Sequence, residues 1–261
     1  MDAAKAMGER LALQTWFKTP LGGLVADAER AAVCDLLGRR AGIYLLQVGG
    51  YGEGLDLPMP FAVRHWIVDS VPAPGLTLHG QMDNLPLRDD SVNAVMLVHA
   101  LEFAEVPHSI LREAVRVLAP EGRLLIIGFN PASLWGLNRA AVGLWHGRAP
   151  WGGHYYGTRR LRDWCTLLDL EPLQERTVFF RPPLQRLRLQ QRLQRMERLV
   201  GRWLPWFGGV SILVSRKRVA RIIPLGGVPA RSARLMPGRL VGGSANTNTG
   251  YGFDEGRRDI Q

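Results

Sequence analysis

The stretch from His79 to Pro131, HGQMDNLPLRDDSVNAVMLVHALEFAEVPHSILREAVRVLAPEGRLLIIGFNP, decides the fold of this chain. Val92 to Val98 is an apolar, β-branched run of strand length, and Arg123 to Gly128 is a second one. Between them Ile110, Leu111, Ala114, Val115, Val117 and Leu118 recur at helical spacing, and Ala119-Pro120-Glu121-Gly122 ends that helix and turns the chain. Strand, helix, strand in this order predicts a right-handed crossover in a parallel sheet. Ligands of such sheets sit beyond the carboxyl ends of the strands. Two segments fall there: Gln81-Met82-Asp83-Asn84-Leu85-Pro86 and His99-Ala100-Leu101-Glu102.

Working upstream, Leu24 to Arg40 reads as an amphipathic helix, with acids early and Arg39 and Arg40 late, as the helix dipole favours. Ile43 to Val48 is an apolar strand running into Gly49-Gly50-Tyr51-Gly52-Glu53-Gly54, where glycines allow positive φ and close approach of a ligand. His65 to Val68 is a short strand ending in Asp69. Prolines at 58 and 60, and again at 72 and 74, disfavour the helices that would follow these two strands, so both early crossovers are expected to be trimmed. Downstream, Ser133 to Trp145 and Thr158 to Leu168 look helical, and Leu173 to Phe180 and Val210 to Ser215 extended.

In order and spacing these pieces resemble the class I S-adenosylmethionine-dependent methyltransferases, in particular the type 11 methyltransferase-domain family. The resemblance rests on Gln81-Met82-Asp83-Asn84-Leu85-Pro86-Leu87, on Ser91-Val92-Asn93, and on Arg116-Val117-Leu118-Ala119-Pro120-Glu121-Gly122. It implies an α/β, Rossmann-like seven-stranded sheet with antiparallel closing strands, and S-adenosylmethionine as cofactor. It also implies that the glycine turn (Gly49, Gly50, Gly52) holds the methionyl and ribose parts. Two registers are open there: with Gly49 as the first family glycine, Gln47 replaces an acid and Tyr51 a glycine; with Gly50, Gly52 and Gly54, the strand shifts by one. Asp69 falls where the family's acid chelates the ribose hydroxyls, a surface turn aspartate being the alternative. Asp83 falls where an acid accepts from the adenine amino group, with the backbone of Asn84 and Leu85 beside the ring. Methyl transfer needs alignment more than a base, but His99 is best placed to be one, or else to contact the cofactor. Glu102 and His108 are more distant candidates.

Other chemistries find little support. Phe129-Asn130-Pro131 follows the fifth strand and lacks the second proline and aromatic of the amide and adenine-amino methyltransferase motif. Cys34 and Cys165 are isolated in apolar helical segments, as buried thiols of a reducing compartment would be, and no His/Cys/Asp cluster has metal spacing. No apolar run approaches the roughly 20 residues of a membrane span, and no secretory pattern opens the chain, so a cytoplasmic protein is expected.

The formal charge of +10 is uneven: residues 181–206 hold seven Arg against one Glu, and residues 216–261 nine Lys or Arg against three acids. In the first segment Leu189, Leu193, Met196, Val200 and Trp203 repeat at helical spacing, with Arg188, Arg192, Arg195, Arg198 and Arg202 on the other faces. This insert, about 182–206, reads as a lid over the sheet or as a surface for nucleic acid or an anionic membrane. Residues 1–218 are expected to form the methyltransferase-like domain, and 219–261, rich in Gly, Pro, Arg, Ser and Asn, a disordered basic tail. Two functions remain open: a methyltransferase with an unidentified acceptor, and an inactive methyltransferase-fold module that binds RNA or another polyanion. A nucleic-acid methyltransferase recruiting substrate through the arginine helix is a third.

Overall fold

The computed structural model describes residues 3–37, 43–51, 62–142, 150, 152–184, 190, 192–193, 197 and 200–218. Two helices, α1 (Ala3–Phe17) and α2 (Pro20–Leu37), precede the sheet. The sheet then alternates β1 (Ile43–Val48), β2 (Ala62–Asp69), β3 (Leu78–His79), β4 (Val92–Val98), α3 (Pro107–Val117) and β5 (Leu118–Phe129). It ends with α4 (Leu134–Val142), α5 (Thr158–Leu167), β6 (Leu170–Val178) and β7 (Val210–Lys217). The strand order is β3-β2-β1-β4-β5-β7-β6. β1 to β5 run parallel, and β7 inserts antiparallel between β5 and β6.

β4 explains the two-sided core. Its alternate residues Ala94, Met96 and Val98 join one buried cluster with Leu13, Trp16, Val25 and Val33 of α1 and α2. Val95 and Leu97 join the other, with Leu111, Ala114 and Val117 of α3 and Trp164 of α5. A strand covered on both faces reads as a continuous apolar run, which is why it was legible.

Several boundaries differ from the sequence reading. α2 starts at Pro20, not Leu24, because the Thr19 hydroxyl accepts from the Gly22 amide and Pro20 takes the first helical position. The Ala119–Gly122 turn lies within β5: Leu118 already pairs with Val92, and a register irregularity before Ala94 absorbs Glu121 at φ 61°. β6 begins at Leu170, tolerating Pro172 at a register shift because it is an edge strand. Among residues 70–77 there is no helix, so the second crossover is trimmed as expected. The first crossover lies outside the described residues, as do Gly52, Arg188, Arg195 and Arg198 of the expected site and basic face, and residues 219–261. Of the insert, residues 190, 192–193, 197 and 200–203 are helical.

Candidate cofactor site

The carboxyl ends of β1, β2 and β4 bring together Gly49, Asp69 and His99, three of the residues singled out from sequence. Gly49 leaves β1 at φ 91°, its amide donating to Val68 O at 2.8 Å. A Cβ there would come within 2.3 Å of Val98 O, so the position excludes every side chain. Gly50 is buried beside it. Gln47 is also buried: its amide nitrogen donates to Gly49 O at 2.9 Å and its oxygen lies 3.2 Å from His65 Nε2. Tyr51, which stands for a family glycine in the register that starts at Gly49, packs edge-on to Phe17 at 5.0 Å with Arg30 over its ring at 5.5 Å. The irregular glycine motif thus has a packing reason: its large residue belongs to the core beneath α1 and α2.

Asp69 is fully buried, and α1 covers it. Arg10 Nε donates to Asp69 Oδ1 at 3.1 Å and Arg10 Nη2 to Oδ2 at 3.0 Å. Gln14 Nε2 donates to Oδ2 at 3.1 Å and the Val71 amide to Oδ1 at 3.2 Å. Burial alone would raise the Asp69 pKa, but the Arg10 charge and these donors hold it below the usual carboxylate value. The Arg10 fork also donates to His99 O at 2.6 Å and Val98 O at 3.3 Å.

His99, at φ 45°, turns its ring away from solvent between two carboxylates: Nδ1 lies 2.6 Å from Glu102 Oε2 and Nε2 3.1 Å from Glu29 Oε1. Burial disfavours the imidazolium, yet Glu102 and then Glu29 outweigh it and lift the pKa from 6.5 to about 9. At neutral pH both ring nitrogens therefore donate, and no lone pair is free to accept a proton from a nucleophile. The expectation of a general base at this position meets that obstacle in the structure. Glu102 also accepts from the Phe129 amide at 2.5 Å, tying β4 to β5.

Asp83 lines a cavity of about 440 Å³ together with Met7 and Arg10 of α1 and with Ser70, Met82, Phe103 and Ser109. This is the size of a small-ligand site. The Ser109 hydroxyl lies 3.4 Å from Asp83 Oδ2. Asn84 and Leu85 lie off this lining; the Asn84 amide donates to Gln81 O at 3.4 Å and the Leu85 amide to Glu113 Oε1 at 2.7 Å. A second cavity of about 280 Å³, with His108, His154, Tyr156 and Trp164 in its wall, shares Ala104 and Glu105 with the first. Asn130 serves the fold, because its side-chain amide donates to Trp206 O and Gly208 O at 2.8 and 2.9 Å.

Sequence reasoning missed Arg10, Gln14 and Glu29. Arg10 and Gln14 stand at positions four apart on the helix face that also bears Leu13 and Phe17, and Glu29 stands four residues from both Val25 and Val33. Charged residues inside an apolar stripe are the signal that was available.

Residues 61–126 match the family described as methyltransferase domain. The uncharacterized protein YafS of Escherichia coli is 29% identical over 239 residues, which is 91% of this chain and 93% of that one. A SAM-dependent methyltransferase from Thermotoga maritima superposes with a TM-score of 0.52 at 19% identity, over 73% of this chain and 88% of that one. A chain of the Haloferax volcanii complex between the Trm112 methyltransferase activator and a methyltransferase gives 0.55 at 17% identity, over 79% and 98%. With its 3-2-1-4-5-7-6 sheet the chain has the class I methyltransferase fold, and its residues 61–126 resemble the methyltransferase-domain family.

Proposed function

We propose that the protein is an S-adenosylmethionine-dependent methyltransferase whose acceptor enters through the second cavity. The observation that supports this best is the cavity beyond the carboxyl ends of β2 and β3, which Ser70, His79 and Asp83 line, with Asp69 buried at the end of β2 next to Ser70. Asp83 would accept from the adenine amino group, Gly49 and Gly50 would line the methionyl path, and Asp69 would face the ribose hydroxyls. Bound there, the cofactor supplies a methyl group on a sulfonium, already an excellent leaving group. What falls to the protein is to align the acceptor and exclude water. Met7 and Phe103 supply apolar surface to the cavity wall. His99 is assigned a positioning role: its carbonyl receives Arg10 and its ring ties β4 to α2. The rim shared through Ala104 and Glu105 would let an acceptor reach the methyl from the His108, His154 and Trp164 side.

Isothermal titration with S-adenosylmethionine and S-adenosylhomocysteine tests the reading. Stoichiometric binding is expected, weakened at least tenfold by Asp83→Ala with an unchanged melting temperature, since Asp83 is exposed. Equal affinity in that variant would remove the adenine assignment.

The second reading, a polyanion-binding module, is favoured by one feature: Arg192 and Arg202 are exposed, and Trp203, next to Arg202 in the chain, is 80% exposed.

A further inference from the structure

Arg10 occupies the place a cofactor would need. An ionised carboxylate offers about four acceptor sites, and the two oxygens of Asp69 already receive four donors: Arg10 Nε, Arg10 Nη2, Gln14 Nε2 and the Val71 amide. A ribose diol cannot be chelated while the first three remain. The guanidinium also fills the space opened by the missing side chain at Gly49, since a Cβ built there would lie 2.2 Å from Arg10 Nη2. The exclusion therefore covers both the acid and the glycine turn.

Charge explains why an arginine stands here. The buried acids Asp69, Glu29 and Glu102 hydrogen-bond to two buried cationic side chains, Arg10 and His99. Removing Arg10 leaves a buried carboxylate uncompensated unless another cation arrives. S-adenosylmethionine, with a sulfonium, an ammonium and a carboxylate, carries net charge +1, the same as the guanidinium it would displace.

α1 is built to make the exchange. Its carboxyl-terminal half is anchored by Leu13, Trp16 and Phe17 in the core, whereas none of residues 5–9 is buried and Arg10 is the first that is. We propose that Arg10 is an internal stand-in for the cationic cofactor, so that α1 latches the site shut through Asp69 and must release it for the cofactor to bind. This rests on the cofactor reading above and adds a competing intramolecular ligand to it.

The test is titration of the full chain and of Arg10→Ala and Arg10→Gln with S-adenosylmethionine, alongside amide hydrogen exchange of the wild-type protein with and without saturating S-adenosylmethionine. The latch predicts that removing this cation raises cofactor affinity tenfold or more. It also predicts that cofactor makes amides of residues 3–10 exchange faster, the reverse of ordinary ligand protection. Binding by the variants alone would support it too. If the wild type binds and the variants bind equally or more weakly, while residues 3–10 become more protected, the latch is overturned and the cofactor reading stands. Should no form bind at millimolar ligand, both are overturned together. The exchange measurement needs no variant, so poor folding of Arg10→Ala leaves the proposal open to refutation.

Discussion

His99 sits between Glu29 and Glu102 with no exposed surface, and its pKa of about 9 makes it a source of pH-dependent stability. In the unfolded chain the ring titrates near 6.5. The folded state therefore binds the proton more tightly, and the stabilisation is complete below pH 6.5 and is lost as pH rises through about 9. Melting curves at pH 6 and pH 9 should differ by more in the wild type than in His99→Gln; equal shifts would show that the ring is not charged when folded. Asp69 acts in the opposite sense, its contribution being present above the unfolded carboxyl value and lost only as pH falls through its lowered folded one. The sequence made Asp69 and His99 visible because the acid and the histidine follow strands. It hid Arg10 and Glu29, whose meaning depends on α1 and α2 folding back over the strand ends, a placement no local spacing encodes.

Within single elements, α3 holds the segment that follows Asp83. Arg116 donates to Leu85 O at 3.0 Å and Leu87 O at 2.9 Å and pairs with Asp89, while Glu113 receives both Arg116, at 2.6 Å, and the Leu85 amide. Hydrogen bonding from Arg116 keeps the Glu113 carboxyl below its ordinary value. Arg116→Ala should therefore leave α3, whose buried face is Ile110, Leu111, Ala114 and Val117, in place and loosen the loop that carries Asp83. A several-fold weaker cofactor affinity with unchanged far-ultraviolet circular dichroism is the expected outcome; an unchanged affinity would mean that the loop holds itself. This arginine was legible as the head of the Arg116–Gly122 motif, and its partners show what it does there. The strands and α3 were readable because their apolar periods are strict. α1 was not, since Arg10 and Gln14 interrupt its buried face.

For the molecule as a whole, the sheet is complete at Lys217, and the last described residue, Arg218, pairs with Glu171 at 3.0 Å. A chain ended after Arg218 should keep the melting temperature and cofactor affinity of the full protein. Residues 219–261 hold six Arg against three acids, so the same truncation should lower the salt sensitivity of any RNA binding without touching the cofactor site. A fall in melting temperature of more than a few degrees would place part of the tail in the folded domain. Among the described residues no helix is long and apolar enough to cross a membrane. The charge distribution was readable from composition, whereas the role of the exposed Arg192 and Arg202 was not, because solvated and ligand-facing arginines look alike in sequence.

The antiparallel insertion of β7 between β5 and β6 also sets an order of events during synthesis. β5 leaves the ribosome with one edge open, and the strand that covers it ends 88 residues later, counting from Phe129 to Lys217. At bacterial-to-eukaryotic elongation rates this is a wait of about 4 to 18 s, during which an apolar strand edge is unpaired. The arginine-rich segment emerges in that interval, so nascent chains carry strong positive charge just when self-association through the open edge would be most damaging.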